Sequence, residues 1–303
     1  MEEKQPEAVE LLVSVLIVTR NTVEPLRRCL EALEKAPDRA SFEVLVVDNG
    51  SRDGCQSIDS EFPEVTVLRL PHLFGLTKAR NIGIRTAKAE HLLLLSPYVV
   101  MPPGGVTALA ARLRQETGAL AVCPLLLDAS GTPVSRAHVL PTPDQVKQHW
   151  RDPSGLPTLN LPEGSEPLPI GMHDGHALLI RRQTIVGINY LDERYGEAWI
   201  DAELAWQIRR AGRKILLLPD LRAELQPVPA RFEEDPAGDA DFAAGASSYI
   251  AKNAGWFAGF LFHTVLVLGT LAGLLTFRRI GYRMALVSRL LSGGKIDGTD
   301  QQL

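Results

Sequence analysis

The chain has 303 residues, with 32 Lys and Arg against 36 Asp and Glu for a formal net charge of −4. That length suits one α/β domain with an appendage better than two full domains, and the weakly acidic balance excludes nucleic acid as an expected partner, which would show as a basic surface. Cys29, Cys55 and Cys123 are widely spaced and outside any C-x-x-C pattern, so neither a disulfide framework nor a zinc site is suggested.

The tail 1–11 is acidic and lacks the apolar run of a secretory signal, so the bulk of the chain is expected inside the cell. From 12 to 127 short apolar runs alternate with amphipathic segments. SVLIVT (14–19), FEVLVVD (42–48), VTVLRL (65–70), HLLLL (91–95) and ALAVCPLLL (119–127) are rich in Val, Ile and Leu without strict alternation, the pattern of strands covered on both faces. Between them, Glu24 to Lys35, Leu76 to Thr86 and Val106 to Gln115 carry apolar residues at three- and four-residue spacing, which predicts crossover helices. The alternation predicts an α/β fold with a doubly wound, mostly parallel sheet, whose ligands bind beyond the carboxyl ends of the strands. Residues 128–170, rich in Pro, Gly, Ser and Asp with Trp150 as an aromatic anchor, read as a long functional loop region or a disordered insert. Order returns with a strand in GHALLIRR (175–182), a helix over 199–212 that Gly212 ends, and a strand in KILLLP (214–219). The polar, Pro- and Gly-rich stretch 227–245 reads as a linker that closes the globular domain at 226.

Residues 246–292 differ in kind and are expected to form membrane-associated helices. Ala254 to Phe277 is 24 residues without a formal charge, more than the ~20 needed to cross a bilayer core, although a buried core helix has the same composition. Arg278, Arg279, Arg283, Arg289 and Lys295 follow it and only Lys252 lies close before it. The positive-inside rule keeps that side cytoplasmic. Because the preceding domain is expected there too, a re-entrant hairpin or an interfacial helix pair over 254–291 fits better than one crossing. Residues 293–303 read as a tail.

The loops after the first two strands, VTRNT and VVDNGSRDG, carry the first candidate chemistry. Asp48 at a strand's carboxyl end, followed by Asn49, Gly50 and Ser51, can take hydrogen bonds from a base or ribose, or can form an ordinary turn. FGLTKARNIGIRTA places Lys78, Arg80 and Arg85 near a helix start, where they can face phosphate or form a solvated basic face.

In their order and spacing, VSVLIVTRNTVEPLRRCLEAL, FEVLVVDNGSRDG and GLTKARNIGIRTA, followed by an apolar strand, resemble a family 2 glycosyltransferase of the GT-A fold. GHALLIRR and LDERYGEAWIDAELAWQIRRAGRKILLLPD resemble that family's acceptor-side segment. The resemblance covers 12–226, with 12–127 as the nucleotide-binding part and 128–226 as the acceptor part. It implies inverting transfer of a sugar from a nucleotide-diphosphate donor to a glycan or lipid-linked acceptor at the cytoplasmic face of the cell membrane. It further implies that Thr19, Asn21, Asp48 and Asn49 hold the nucleoside. Ser51 and Lys78 belong to the donor side with Arg80, which falls near the diphosphate, and Asp174, His176 and Trp199 to the acceptor side. The family's acidic pair falls on Ile200 and Asp201, so one carboxylate remains as the implied catalytic base; from the residues alone, Asp201 also suits a helix cap.

The family's Asp-x-Asp motif falls on Ser96-Pro97-Tyr98, on the donor side, and offers no carboxylate to Mg²⁺ or Mn²⁺, hard cations that need oxygen ligands. After the final strand, where the family often has a His, stand Leu225 and Gln226. No metal cofactor is therefore expected from the family motif, and His173 and His176 around Asp174 are the residues from which a different metal site would be built. Three readings stay open: a metal-independent enzyme in which Arg80, Lys78, His173 or His176 neutralises the diphosphate; a non-catalytic pseudo-glycosyltransferase that binds a sugar nucleotide or glycan; and a membrane-anchored partner subunit.

Overall fold

The computed structural model describes residues 11–135, 137–161, 164–229 and 235–293. The tails expected at 1–11 and 293–303, apart from Leu11 and Gly293, lie outside the described residues, as do 230–234 of the expected linker. In chain order the elements are β1 (Val13–Thr19), α1 (Val23–Glu34), β2 (Phe42–Asp48), β3 (Thr66–Arg69), α2 (Leu76–Thr86), β4 (His91–Leu95), β5 (Val99–Val100), α3 (Gly105–Gln115) and β6 (Ala119–Leu127). There follow α4 (Pro143–Gln148), β7 (Leu168–Ile170), β8 (Ala177–Arg181), α5 (Arg182–Gly187), α6 (Ile200–Arg210), β9 (Lys214–Leu225), α7 (Pro236–Ala254), α8 (Trp256–Leu274) and α9 (Ile280–Leu291).

Successive side chains of a strand point to opposite faces, and β1 shows what that does here. Leu16 joins Leu45, Val47, Ala79 and Ile84 on one side of the sheet, while Val15 and Ile17 join Val44, Val46, Leu26 and Leu109 on the other. Both faces are therefore covered, α2 and α6 lying on the first and α1 and α3 on the second, which is the doubly wound arrangement expected. Among the described residues one nine-stranded sheet runs β3-β2-β1-β4-β8-β6-β9-β5, with β7 added to β9. The half that carries the nucleotide-type loops, β3 to β4, is parallel. Beyond it the sheet is mixed, because β8 lies antiparallel between β4 and β6. That reversal brings the start of β8 beside the carboxyl end of β4, with Leu95 opposite Ala177, so the segment before β8 joins the ligand-binding rim.

Three sequence expectations change. The 128–170 region holds order of its own. Thr142 and Gln145 form a capping box at the start of α4, and His138 bridges both Thr158 and Met172. The last strand runs on to Leu225 through a register shift against β6 between Pro124 and Leu125.

The third change concerns the linker. From Pro236 it is helix, begun by an Asp235 side chain that accepts from Gly238 N at 2.9 Å and by Pro at the first turn. Composition misled there because Pro, Gly and polar residues read as loop when counted, yet the small residues of this stretch let α7 lie against its neighbours. A Cβ at Gly245 would stand 2.9 Å from the Ala198 carbonyl oxygen, and one at Gly259 on α8 would stand 2.5 Å from the Ser247 carbonyl oxygen. Tyr249 and Ile250 of α7 are buried in the same core as β1 and α6, each burial worth about 1.5–3 kcal/mol. Residues 236–254 thus complete the domain, and the boundary expected at 226 moves to the turn at Gly255.

Candidate active site

The loop after β1 and the loop after β2 are laced together. Asn21 sits at φ +51, its N–H donates to Ser51 Oγ at 3.0 Å, and its Oδ1 accepts from Arg52 N at 2.8 Å. Thr19 Oγ1 meets Thr22 Oγ1 at 2.6 Å, and Asp48 Oδ1 accepts from Ser51 N at 3.0 Å. Asn49 spends both ends of its amide on Phe74, donating to its carbonyl at 2.8 Å and accepting from its N–H at 2.9 Å. These bonds form the rim of a cavity of about 470 Å³ lined by Asp48, Gly50, Ser51, Arg20, Arg52 and Arg69, among others. Of the residues expected on the nucleoside, Asp48 lines this cavity, as does Ser51 from the donor-side set, whereas Thr19, Asn21 and Asn49 do not, Asn49 acting as a strut between loops. Reading the sequence missed Arg20 and Arg52; the available signal was one basic residue in each of the two loops. Arg20 Nε is buried without a hydrogen-bond partner among the described residues.

From the far side of the same loop, α2 points its cations in different directions. Lys78 Nζ lies over the Phe74 ring, 4.3 Å from its centroid, and Arg85 over Tyr190 at 4.5 Å. Arg80 reaches the acceptor-side pocket. Its Nη1 lies 3.4 Å from Asp201 Oδ1 and its Nη2 3.3 Å from the Gly175 carbonyl oxygen.

Asp201 is the second residue of α6, and no side chain caps that helix, so Asp201 is not its N-cap, although as an acid in the first turn it still suits the helix dipole. Trp199, left-handed at φ +68, turns the chain into the helix. Besides Arg80, Asp201 meets His173 Nε2 at 3.5 Å, and its side chain keeps 22% of its exposure. Gly175 sits at φ +81, and a Cβ there would fall 2.8 Å from Asp201 Oδ2, so both the turn and the close approach require Gly. Burial pushes the His173 imidazole below its ordinary value, against the pull of Asp201 and Asp174. Asp201, His173, Asp174, His176 and Trp199 all line one cavity of about 730 Å³, so the structure brings the expected acceptor-side residues together.

The loop into this pocket is held from both sides. Thr77 Oγ1 donates to the Gly196 carbonyl at 2.7 Å from α2, and Asp241 on α7, itself buried, accepts from Glu197 N at 2.7 Å. Lys252 pairs with buried Glu203, which also accepts from Gln207 Nε2 at 2.8 Å. Helix α7, read in the sequence as linker and membrane segment, is therefore what fixes the entry to α6.

The two positions at which the sequence departs from the family pattern touch each other. Gln226, buried, donates its N–H to the Tyr98 carbonyl at 2.8 Å and its Nε2 to the Pro97 carbonyl at 3.4 Å and the Pro25 carbonyl at 3.1 Å. Ser96 N donates to the His176 carbonyl at 2.7 Å, and Ser96 Oγ accepts from Tyr98 N at 3.3 Å. Burial raises the Tyr98 phenol above its ordinary value. An amide bracing backbone carbonyls, a hydroxyl closing a turn and a protonated phenol do not make the carboxylate pair that a hard divalent cation needs. Among the described residues no three His, Cys, Asp or Glu gather with metal-holding geometry, so His173, Asp174 and His176 do not supply a replacement set.

Comparison with known proteins agrees with this architecture. The profile described as "Glycosyl transferase family 2" matches residues 14–166. An N-acetylglucosaminyl-diphospho-decaprenol L-rhamnosyltransferase of Mycobacterium tuberculosis is 27% identical over 236 residues, covering 69% of this chain and 74% of its own. Glycosyltransferase AglE of Haloferax volcanii is 33% identical over 107 residues, 32% of this chain and 35% of its own. Among solved structures, GalNAc-T7 with UDP, GalNAc and Mn2+ superposes with a TM-score of 0.58 at 18% identity, over 78% of this chain and 47% of that one. S. aureus TarS 1-349 in complex with UDP-GlcNAc does so with a TM-score of 0.56 at 15% identity, over 80% and 67%. At those identities the two structures speak for the fold. The family match, spanning half of the chain and joined to the wired Asp48 loop and the α/β sheet, establishes that this chain belongs to glycosyl transferase family 2 and is a glycosyltransferase.

Proposed function

We propose that the chain is an inverting glycosyltransferase that takes its sugar from a nucleotide-diphosphate donor bound along the Asp48 cavity, gives it to a lipid-linked acceptor, and works at the cytoplasmic face of the membrane without an Asp-x-Asp metal. The observation that carries this reading is Asp201: a half-buried carboxylate in a pocket large enough for a sugar, with long contacts to Arg80 and His173 as its ion pairs among the described residues. Inverting transfer requires a base on the acceptor hydroxyl and positive charge for the departing diphosphate. Asp201 takes the hydroxyl proton as the oxygen attacks the anomeric carbon, and the C–O bond to the diphosphate breaks on the opposite side. Arg80 orients Asp201, and it adds positive charge between the two cavities. Arg20 and Arg52 supply further cations in the donor cavity.

The lipid-linked acceptor rests on the likeness to the M. tuberculosis N-acetylglucosaminyl-diphospho-decaprenol L-rhamnosyltransferase and on the C-terminal hairpin. Trp256–Leu274 is long and apolar enough to cross a membrane, with a mean hydropathy of 1.9 and 11% of its window buried. At 1.5 Å per residue, the 12 residues of α9 reach only about 18 Å, too short to return across. Trp256, Phe257 and Phe260 on α8 and Met284 and Leu291 on α9 remain exposed. An antiparallel pair with this unpartnered apolar surface and Arg278, Arg279, Arg283 and Arg289 beside it suits the interface of an anionic leaflet.

The test is transfer itself. Full-length protein with a panel of sugar nucleotides and a lipid-diphosphate-linked sugar acceptor should form product in EDTA, with the new linkage inverted by NMR. Retention of configuration, or an absolute requirement for added divalent ion, would contradict the proposal.

A further inference from the structure

Apart from the pocket around Asp201, the α8–α9 hairpin encloses a cavity of about 280 Å³ whose remaining wall is Trp150 and Arg151. Its helical walls are apolar, with Val265 and Leu266 from α8 and Leu286 and Leu290 from α9. Arg151 and Arg283 line it, and no acidic side chain does among the described residues. Arg151 is committed to buried Asp239, Nε to Oδ1 at 3.2 Å, and the Tyr282 hydroxyl donates to the same carboxylate. Arg283 is held more lightly. Its Nη1 donates to Thr276 Oγ1 at 2.8 Å, and its guanidinium lies flat on α8 where a Cβ at Gly273 would stand 2.5 Å from Nη1. A guanidinium carries five N–H donors, so most remain for a ligand.

The cavity lies between two surfaces. Val265 on its wall is 56% exposed on the apolar surface of the hairpin. On the other side, the Trp150 carbonyl accepts from Trp199 Nε1 at 3.3 Å. Trp199, with Pro153 and Ser154 a few residues beyond Trp150, lines the pocket of Asp201. One short segment therefore separates a cationic, apolar notch in the hairpin from the sugar pocket.

We infer that this notch receives the diphosphate and the first apolar units of the acceptor's lipid carrier, while the carrier's sugar enters the Asp201 pocket. The inference rests on the lipid-linked acceptor proposed above. Its own support is the pairing of cations with an apolar wall, which neither a free anion nor a neutral lipid would use in full. A notch beside the sugar pocket also suits a substrate stem better than a bulk phospholipid, for which the outer face of the hairpin suffices.

Full-length protein in neutral detergent micelles can be titrated calorimetrically with farnesyl diphosphate, inorganic pyrophosphate and a short-chain phosphatidylglycerol. Farnesyl diphosphate should bind at least about tenfold tighter than either of the others. Arg283→Gln should weaken it about tenfold to a hundredfold, the worth of charge-assisted hydrogen bonds. Gly269→Leu offers a second probe. A Cβ there meets nothing within 4 Å, so the helix tolerates it while the side chain fills the notch, and binding should be lost with the thermal midpoint kept. Unchanged farnesyl diphosphate binding in both variants, or equally tight phosphatidylglycerol binding, would overturn the inference. The two readings fail separately: binding in the notch without sugar transfer to any acceptor sinks the proposed function alone, and transfer with no farnesyl diphosphate binding sinks the notch alone.

Discussion

The loops around Asp48 and the pocket around Asp201 are built by opposite means. Around Asp48 the side chains bond to backbone in their own or the adjoining loop at 2.8–3.0 Å. Around Asp201 the partners are a guanidinium and a buried imidazole at 3.4–3.5 Å, the first of them 121 residues away, and the entry loop is clamped by a helix that follows the last strand. A loop wired to itself is preformed and has few polar groups to spare. A carboxylate with only long contacts and residual exposure has room to exchange them for a ligand's. The contrast assigns rigidity to the donor side and chemistry to the acceptor side, with α7 as the element on which the second depends.

The largest effect should come from removing that element. A chain ending after residue 245 loses Ala246, Tyr249 and Ile250 from the core and leaves buried Glu203 without Lys252. By the usual cost of large core deletions this exceeds about 5 kcal/mol, so the product should be insoluble or molten by near-UV circular dichroism. A chain ending after Ala254 should fold. If both fold equally well, α7 is an appendage and the contrast between the two regions disappears.

A paired substitution sharpens the contrast. Asp241→Ala frees the Glu197 N–H and should cut transfer about tenfold or more, with about 1–3 kcal/mol lost in stability, while donor affinity by calorimetry stays within about twofold. Asn49→Ala frees both backbone groups of Phe74 and should do the reverse, weakening donor binding while saturating donor restores most of the rate. Equal patterns in the two variants would mean that the two halves are not separately built.

The smallest effect is a pH dependence. His173 is pushed by burial below its ordinary value, so the folded protein binds fewer protons there than the unfolded chain does. Stability is then full above the unfolded pKa of about 6.5 and falls as pH drops from there toward the folded pKa. Asp201, Asp174, Arg80 and His176 are the charged and titratable neighbours that act on it. The melting temperature should fall between about pH 7 and pH 5 by a few degrees more in the parent than in His173→Asn; parallel curves would remove His173 as the source.

The same contrast explains what could be read in the sequence. Strands with two buried faces leave unbroken apolar runs, and Phe42–Asp48, His91–Leu95 and Ala119–Leu127 fall where those runs predict. The Asp48 loop was legible as a motif, because Asp48, Asn49, Gly50 and Ser51 are adjacent, but its bonds to Asn21 and Phe74, 25–31 residues away, were not. Arg80 was noticed as a cation but not as the neighbour of Asp201, since no periodicity reports a contact spanning 121 residues. Asp241 was invisible for a related reason: inside a Pro-, Gly- and Asp-rich stretch it counted as linker, and only the close approach allowed by small residues turns that composition into a buried helix. The departures from the family pattern at Ser96-Pro97-Tyr98 and at Leu225-Gln226 read in the sequence as two separate losses, and the contact between Gln226, Pro97 and Tyr98 comes from the structure.

The central claim is that Asp201, with Arg80 beside it and no Asp-x-Asp metal, performs the transfer. Single-turnover rates for the parent and Asp201→Asn, measured in EDTA with donor saturating, test it most directly. A positioned general base is worth about 10²–10⁴-fold, so the account predicts a loss of that size in rate with donor affinity unchanged, because Asn keeps the size and the contact to Arg80 but cannot take the proton. An Asp201→Asn enzyme that retains most of the parental rate would contradict it.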